Sequence, residues 1–159
     1  ESLAFDTEIV SDTAALHGLV AAMVDAAREK TVAGRGIKVL RDPTRGGVAT
    51  TLNEIAQQSG VGMMLEEAAI PVRAQVAAAC EFLGLDPLYV ANEGKLLAIV
   101  AADDCERVLA AMRAHPQGAQ AAVIGTVTED AHRFVQMTTR FGGRRIVDWL
   151  SGDQLPRIC

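Results

Sequence analysis

Apolar residues return at helical spacing in four stretches of the chain, and shorter apolar runs lie between them. Leu16, Leu19, Val20, Met23, Val24 and Ala27 recur every three or four residues, which places one apolar stripe on a first helix. Ser11 and Asp12 stand before it as N-cap residues, and Ala33-Gly34 is its expected stop. The run Ile37 to Leu40 predicts a strand. It leads through Asp42-Pro43-Thr44-Arg45-Gly46-Gly47 into a second helix, with Val48, Leu52, Ile55 and Ala56 on one face and Gly60 just past its end. Val61 to Leu65 predicts another strand. Pro71 opens a third helix expected to bury Val76, Ala79, Cys80 and Leu83, and Gly84 ends it.

The second half changes rhythm. Leu85 to Gly94 carries turn residues and no helical period, and Leu96 to Ala101 predicts a strand. Asp103 and Asp104 open a fourth helix, where acidic side chains face the positive end of the helix dipole. Two strands, about Ala122 to Thr128 and Arg133 to Thr139, are expected to pair as a hairpin. Phe141-Gly142-Gly143 then turns the chain into a last strand, Arg144 to Val147. Helices alternating with strands predict a mixed sheet covered by helices. The expected organisation is one domain over residues 1–150 and a flexible tail over 151–159, with Trp149 packed at the start of the tail.

Composition narrows the class. A chain of 159 residues fits a single core, and with half its residues hydrophobic but 4% aromatic that core is aliphatic. The net charge of −5 argues against nucleic acid, which calls for clustered Lys and Arg. Arg140, Arg144 and Arg145 form the densest basic patch and read as the solvated flanks of a hairpin. No apolar run reaches the roughly 20 residues that span a bilayer, so no membrane is expected. The start has no basic or apolar signal region, and the missing initiator Met suggests a piece of something longer. Cys80, Cys105 and Cys159 form no C-x-x-C pair, so no metal site and no disulfide framework are expected. Cys80 and Cys105 read as packing residues, and a reducing cytoplasm is the simplest compartment.

Three features carry candidate chemistry. Gly46 and Gly47 precede a helix, where backbone N–H groups and the helix dipole can receive an anion; Asp42, Thr44 and Arg45 crowd the same turn. The loop lacks the Gly-Lys-Ser/Thr entry of a Walker motif, and its glycines could serve only a tight turn. Asn92-Glu93-Gly94-Lys95 precedes an apolar strand. Glu93 there is either a general base raised by burial or a surface turn residue. Cys159 is the terminal residue, either a frayed end or a nucleophile. His17, His115 and His132 are scattered and read as structural.

Taken together, the segments Asp42-Pro-Thr-Arg-Gly-Gly-Val-Ala-Thr-Thr-Leu-Asn-Glu-Ile-Ala56, Asn92-Glu-Gly-Lys-Leu96 and Pro156-Arg-Ile-Cys159 resemble the HypE family of hydrogenase maturation factors. These are carbamoyl dehydratases related to aminoimidazole ribonucleotide synthetase and selenophosphate synthetase. The resemblance covers nearly the whole chain and is most specific in the terminal tetrapeptide. It implies an α+β, three-layer α/β/α domain with a mixed sheet, the C-terminal half of a two-domain enzyme. ATP and magnesium would be bound mainly by the absent N-terminal half, which would also form the homodimer, so the isolated domain is expected to be inactive.

The resemblance further implies a chemistry. A carbamoyltransferase, HypF, would load Cys159 with a carbamoyl group, and ATP-driven dehydration would turn it into a thiocyanate. A HypC–HypD complex would receive the cyano group for a nickel–iron hydrogenase. Glu93 is the candidate base; Asp42, Thr44, Arg45, Gly46 and Gly47 would face the nucleotide phosphates. Pro156, Arg157 and Ile158 shape the tail, and Arg157 is expected to offset the terminal carboxylate beside the thiol. Two alternatives stay open: another ATP-dependent synthetase of the superfamily, and a non-catalytic binding or regulatory domain.

Overall fold

The computed structural model describes residues 9–28 and 36–150. Helices α1 (His17–Arg28), α2 (Gly47–Ser59), α3 (Ala74–Leu83) and α4 (Ala102–Ala114) alternate with strands β1 (Ile37–Arg41), β2 (Gly62–Glu66), β3 (Leu97–Val100), β4 (Gly125–Thr128), β5 (Val135–Thr138) and β6 (Arg144–Ile146). The glycine stops read from sequence are in place. Gly60 and Gly84 end α2 and α3 in left-handed conformations that a side chain resists.

The strands form a two-stranded antiparallel ribbon, β1–β3, and a four-stranded sheet ordered β4-β2-β5-β6. The larger sheet is mixed: β2 runs parallel to β5 and antiparallel to β4, and β6 runs antiparallel to β5. The expected hairpin between the fifth and fourth strands therefore does not form, because β2 lies between them. Hydrophobic burial decides this. In the parallel register Met63 faces Val135 and Leu65 faces Met137, and all four side chains are buried. Thr126, Val127 and Thr128 of β4 are exposed, which suits an edge strand and not a central one.

Two apolar clusters fill the molecule, and the β1–β3 ribbon divides them. Leu19, Met23 and Ala27 of α1 meet Val108 of α4 over Ile37, Leu40, Ala98 and Val100 on one side of the ribbon. On its other side Val39, Leu97 and Ile99 pack towards Ala49, Leu52, Ile55 and Ala56 of α2, which rest on Met63, Leu65, Val135 and Met137. Each fully buried Leu, Met or Val contributes roughly 1.5–3 kcal/mol. Helices thus cover both faces of the ribbon, and the four-stranded sheet lies beyond α2.

Some local expectations need correcting. Helix α1 begins at His17, so Ser11 and Asp12 are not its caps; its expected stop at Ala33-Gly34 lies outside the described residues. Helix α3 begins at Ala74, three residues beyond Pro71, and buries only Cys80; Leu83 is 47% exposed and Phe82 68%. Trp149 is 42% exposed and not packed away. The basic patch is as expected at Arg140 and Arg144, which are exposed beside the β5–β6 turn, whereas Arg145 pairs with Asp86 at 2.6 Å.

Candidate active site

Strand β1 and helix α2 are joined by residues 42–46, and this connection is held from beneath. Pro43 is fully buried, and its carbonyl accepts the N–H of Asn92 at 3.0 Å. Gly46 has φ 68° and Gly47 φ 61°, so both stand in the left-handed region. Gly47 also leaves no room for a side chain. A Cβ there would lie 2.5 Å from the carbonyl oxygen of Leu88 and 2.6 Å from that of Val90. At Gly46 a Cβ would strike the side chain of Thr50. Glycine is needed at both positions for the loop to fold down onto residues 88–90.

Residues 88–94 form the other wall. Asp86 caps a short 3₁₀ turn, Pro87–Tyr89, by accepting the Leu88 N–H at 2.9 Å. Asn92 bonds the Val90 carbonyl at 2.7 Å through Nδ2. Glu93 donates its backbone N–H to Asp12 Oδ2 at 3.0 Å. Gly94 lies under the carbonyl of Asp12, and a Cβ there would collide with it. The structure thus brings together two motifs that lie about 50 residues apart in sequence, and adds a third strip of chain at Asp12.

The exposed charges at this junction are Asp42, Arg45, Glu93 and Lys95. Arg45 makes no ion pair or hydrogen bond among the described residues, whereas the neighbouring Arg41 is held by Glu54 at 3.0 Å. Thr44 is half-buried, and its carbonyl accepts the Gly47 N–H at 3.2 Å. Glu93 is exposed, so the burial expected to tune it as a base is absent from this domain alone. Sequence reading missed Asp12 and Thr50. Thr50 Oγ1 is buried beneath Gly46 and has no hydrogen-bond partner among the described residues. The close glycine at 94 was the only sequence signal for Asp12, and nothing signalled Thr50.

Cys159, Pro156, Arg157 and Ile158 lie outside the described residues. The root of their tail is described. Asn53 Nδ2 on α2 donates to Val147 O at 2.8 Å, and the Tyr89 hydroxyl donates to Asp148 O at 3.0 Å. Burial, and then the Asp86 carboxylate, push the Tyr89 hydroxyl above its ordinary pKa. The same two causes, in the same order, raise the Cys80 thiol. Cys80 is buried and Cys105 half-buried, as packing residues should be. His115 Nδ1 accepts the Gln117 N–H at 3.3 Å, and His132 stacks on Phe134. Among the described residues no group of three His, Cys, Asp or Glu side chains could hold a metal ion, and no helix is long and apolar enough to cross a membrane.

Comparison with known proteins gives the lineage. The chain is 68% identical over its full length to the carbamoyl dehydratase HypE of Azotobacter vinelandii, of which it covers 45%. It matches a crystal structure of HypE in complex with ATP with a TM-score of 0.82 and 47% identity, covering 99% of this chain and 46% of that one. It also matches a crystal structure of a HypE–HypF complex with a TM-score of 0.83 and 44% identity, over 93% of this chain and 46% of that one. The chain therefore spans a little under half the length of these relatives. Residues 2–138 match the family described as AIR synthase related protein, C-terminal domain, and the chain belongs to that family.

Proposed function

We propose that this chain is the C-terminal domain of an ATP-dependent carbamoyl dehydratase, and that Cys159 carries the group being converted. The observation that carries the reading is the convergence of the 42–47 loop and the 92–94 turn, tied by the Asn92 N–H to Pro43 O bond and closed by Gly47 under residues 88–90. The likeness to HypE over the full length of the chain supports it. The residues present fit a nucleotide phosphate: two glycines at a helix N-terminus and, among the described residues, an arginine without an ion pair and a buried hydroxyl without a partner.

The Cys159 thiolate takes a carbamoyl group from a partner transferase, giving S–C(=O)–NH2. When bound, ATP supplies a phosphoryl group to the carbonyl oxygen, which makes that oxygen a leaving group. Transfer of the phosphoryl group releases one nitrogen proton to solvent and leaves S–C(=NH)–OPO3; Glu93, exposed at the turn, takes the second nitrogen proton as the C–O bond breaks. Phosphate departs and S–C≡N remains. Arg45 and the Asp42–Gly47 loop hold the phosphates and the charge that develops on them. Sulfur suits the carrier role because it attacks well as a thiolate and leaves well afterwards. Residues 151–159 carry the thiol, and Arg157 offsets the terminal carboxylate beside it.

In the whole protein, the preceding domain would hold most of the nucleotide and the magnesium and would form the homodimer. HypF is the proposed carbamoyl donor, a HypC–HypD complex the acceptor of the cyano group, and the cytoplasm the compartment. Deleting Ile158-Cys159 from the full-length parent tests the reading. Cyanation is abolished while the unfolding curve stays unchanged; a binding or regulatory domain would lose nothing.

A further inference from the structure

We infer that Asp12 is a positioning residue for Glu93, fixing the turn that presents Glu93 beside the 42–47 loop. The inference rests on the function proposed above, in which Glu93 takes a nitrogen proton. Two successive backbone N–H groups set the course of this turn. The Asn92 N–H donates to Pro43 O at 3.0 Å, which ties the turn to the glycine loop. The Glu93 N–H donates to Asp12 Oδ2 at 3.0 Å, which ties it to a strip of chain 81 residues away in sequence. Gly94 lets the strip come this close. A Cβ there would collide with the Asp12 carbonyl and lie 2.7 Å from the Ala14 nitrogen. The turn is therefore clamped, with the loop on one side and residues 12–14 on the other.

Asp12 is itself held in place. Ser11 Oγ accepts the Thr13 N–H at 3.3 Å and donates to Thr13 Oγ1 at 3.1 Å, a local turn with Asp12 at its centre. A few residues on, the strip becomes α1, whose Leu19 and Met23 are buried in the core. The Glu93 side chain has no such support. It is exposed and makes no hydrogen bond or ion pair among the described residues. The backbone of the turn alone decides where its carboxylate starts from. The ionised Asp12 acceptor makes the Glu93 N–H bond roughly twice as strong as a neutral acceptor would. Without that bond the turn is held only from the loop side, and the carboxylate spreads over more positions. A general base displaced by about 1 Å loses rate where the fold loses little.

The test uses the full-length parent. Cys159 is first loaded by the carbamoyltransferase, ATP is then added in a single turnover, and the thiocyanate is followed by mass. The wild type must form thiocyanate, and Glu93→Gln must lower the rate about a hundredfold or more. Failure of either overturns the proposed function or the base assigned in it, and this inference with it. Asp12→Ala lowers the rate about tenfold. Asp12→Asn, which keeps an oxygen to accept the Glu93 N–H, stays within about threefold of the wild type. The ATP concentration for half-maximal rate stays within about twofold in both. In the Glu93→Gln background Asp12→Ala brings no further fall, because Asp12 acts through Glu93. Amide hydrogen exchange reads the same bond without turnover: the Glu93 N–H exchanges faster in Asp12→Ala and at the wild-type rate in Asp12→Asn. An unchanged rate in Asp12→Ala overturns the positioning role, and so does unchanged exchange at Glu93. So does an Asp12→Asn variant as slow as Asp12→Ala, or a raised ATP requirement, since either would put the Asp12 charge on the nucleotide or its cation. An equal tenfold loss in the Glu93→Gln background also overturns it, since Asp12 would then act independently of Glu93.

Discussion

Glycine at 47 and glycine at 60 share a backbone conformation but not a neighbourhood. Both have φ above 60°, yet only Gly47 has backbone oxygens in the space a Cβ would take. Gly60→Ala should cost about 1 kcal/mol, the strain of a left-handed residue. Gly47→Ala should cost about 2–4 kcal/mol because the 88–90 segment must also move. Urea unfolding of the two variants measures the difference, and equal losses would deny the close approach. Titration gives a second residue-scale prediction. Burial and Asp86 raise both Cys80 and Tyr89, so each stays neutral in the folded chain after its unfolded counterpart has ionised. Their contribution is fully present below the ordinary thiol value of about 8.5 and is lost as pH rises through the raised folded values. The urea midpoint should therefore decline above about pH 9, and Cys80→Ala should flatten the first part of that decline.

Helix α2 connects the loop, the core and the tail root, and Asn53 is the joint. Asn53→Ala leaves the Val147 carbonyl unpaired and should cost about 1–3 kcal/mol, with Trp149 fluorescence reporting a loosened root. Much of this element was legible in the sequence. The Asp42–Gly47 run marked its start, Gly60 its end, and Leu52, Ile55 and Ala56 its buried face. Strand partners were less legible. The segments that became β4 and β5 each read as strands, but alternation names the face of a strand and not its neighbour. Only the joint burial of Met63, Leu65, Val135 and Met137 placed β2 between them. Asp12 misled for a related reason. A carboxylate before an apolar stripe suits a helix cap, yet here it reaches across the fold to the Glu93 N–H. Replacing it with Ala should cost about 1 kcal/mol and free the turn that carries Glu93.

At the scale of the molecule, two aliphatic cores meet at the β1–β3 ribbon, and both site segments leave from its strands: the 42–47 loop follows β1, and the 92–94 turn leads into β3. The antiparallel register sets Arg41 opposite Leu97, so the end of one strand lies beside the beginning of the other. That pairing explains why motifs distant in sequence share one place, and why the site opens at one end of the ribbon. The exposed Glu93, and Arg45 with no ion pair among the described residues, fit the half-site proposed above. The central claim is that Cys159 carries a carbamoyl group to a cyano group, and the mass of the C-terminal peptide tests it most directly. Full-length parent protein is incubated with carbamoyl phosphate, ATP and the carbamoyltransferase, and the peptide is then weighed. A gain of about 25 Da, from S–H to S–CN, is the predicted result, and an unmodified Cys159 would contradict the account.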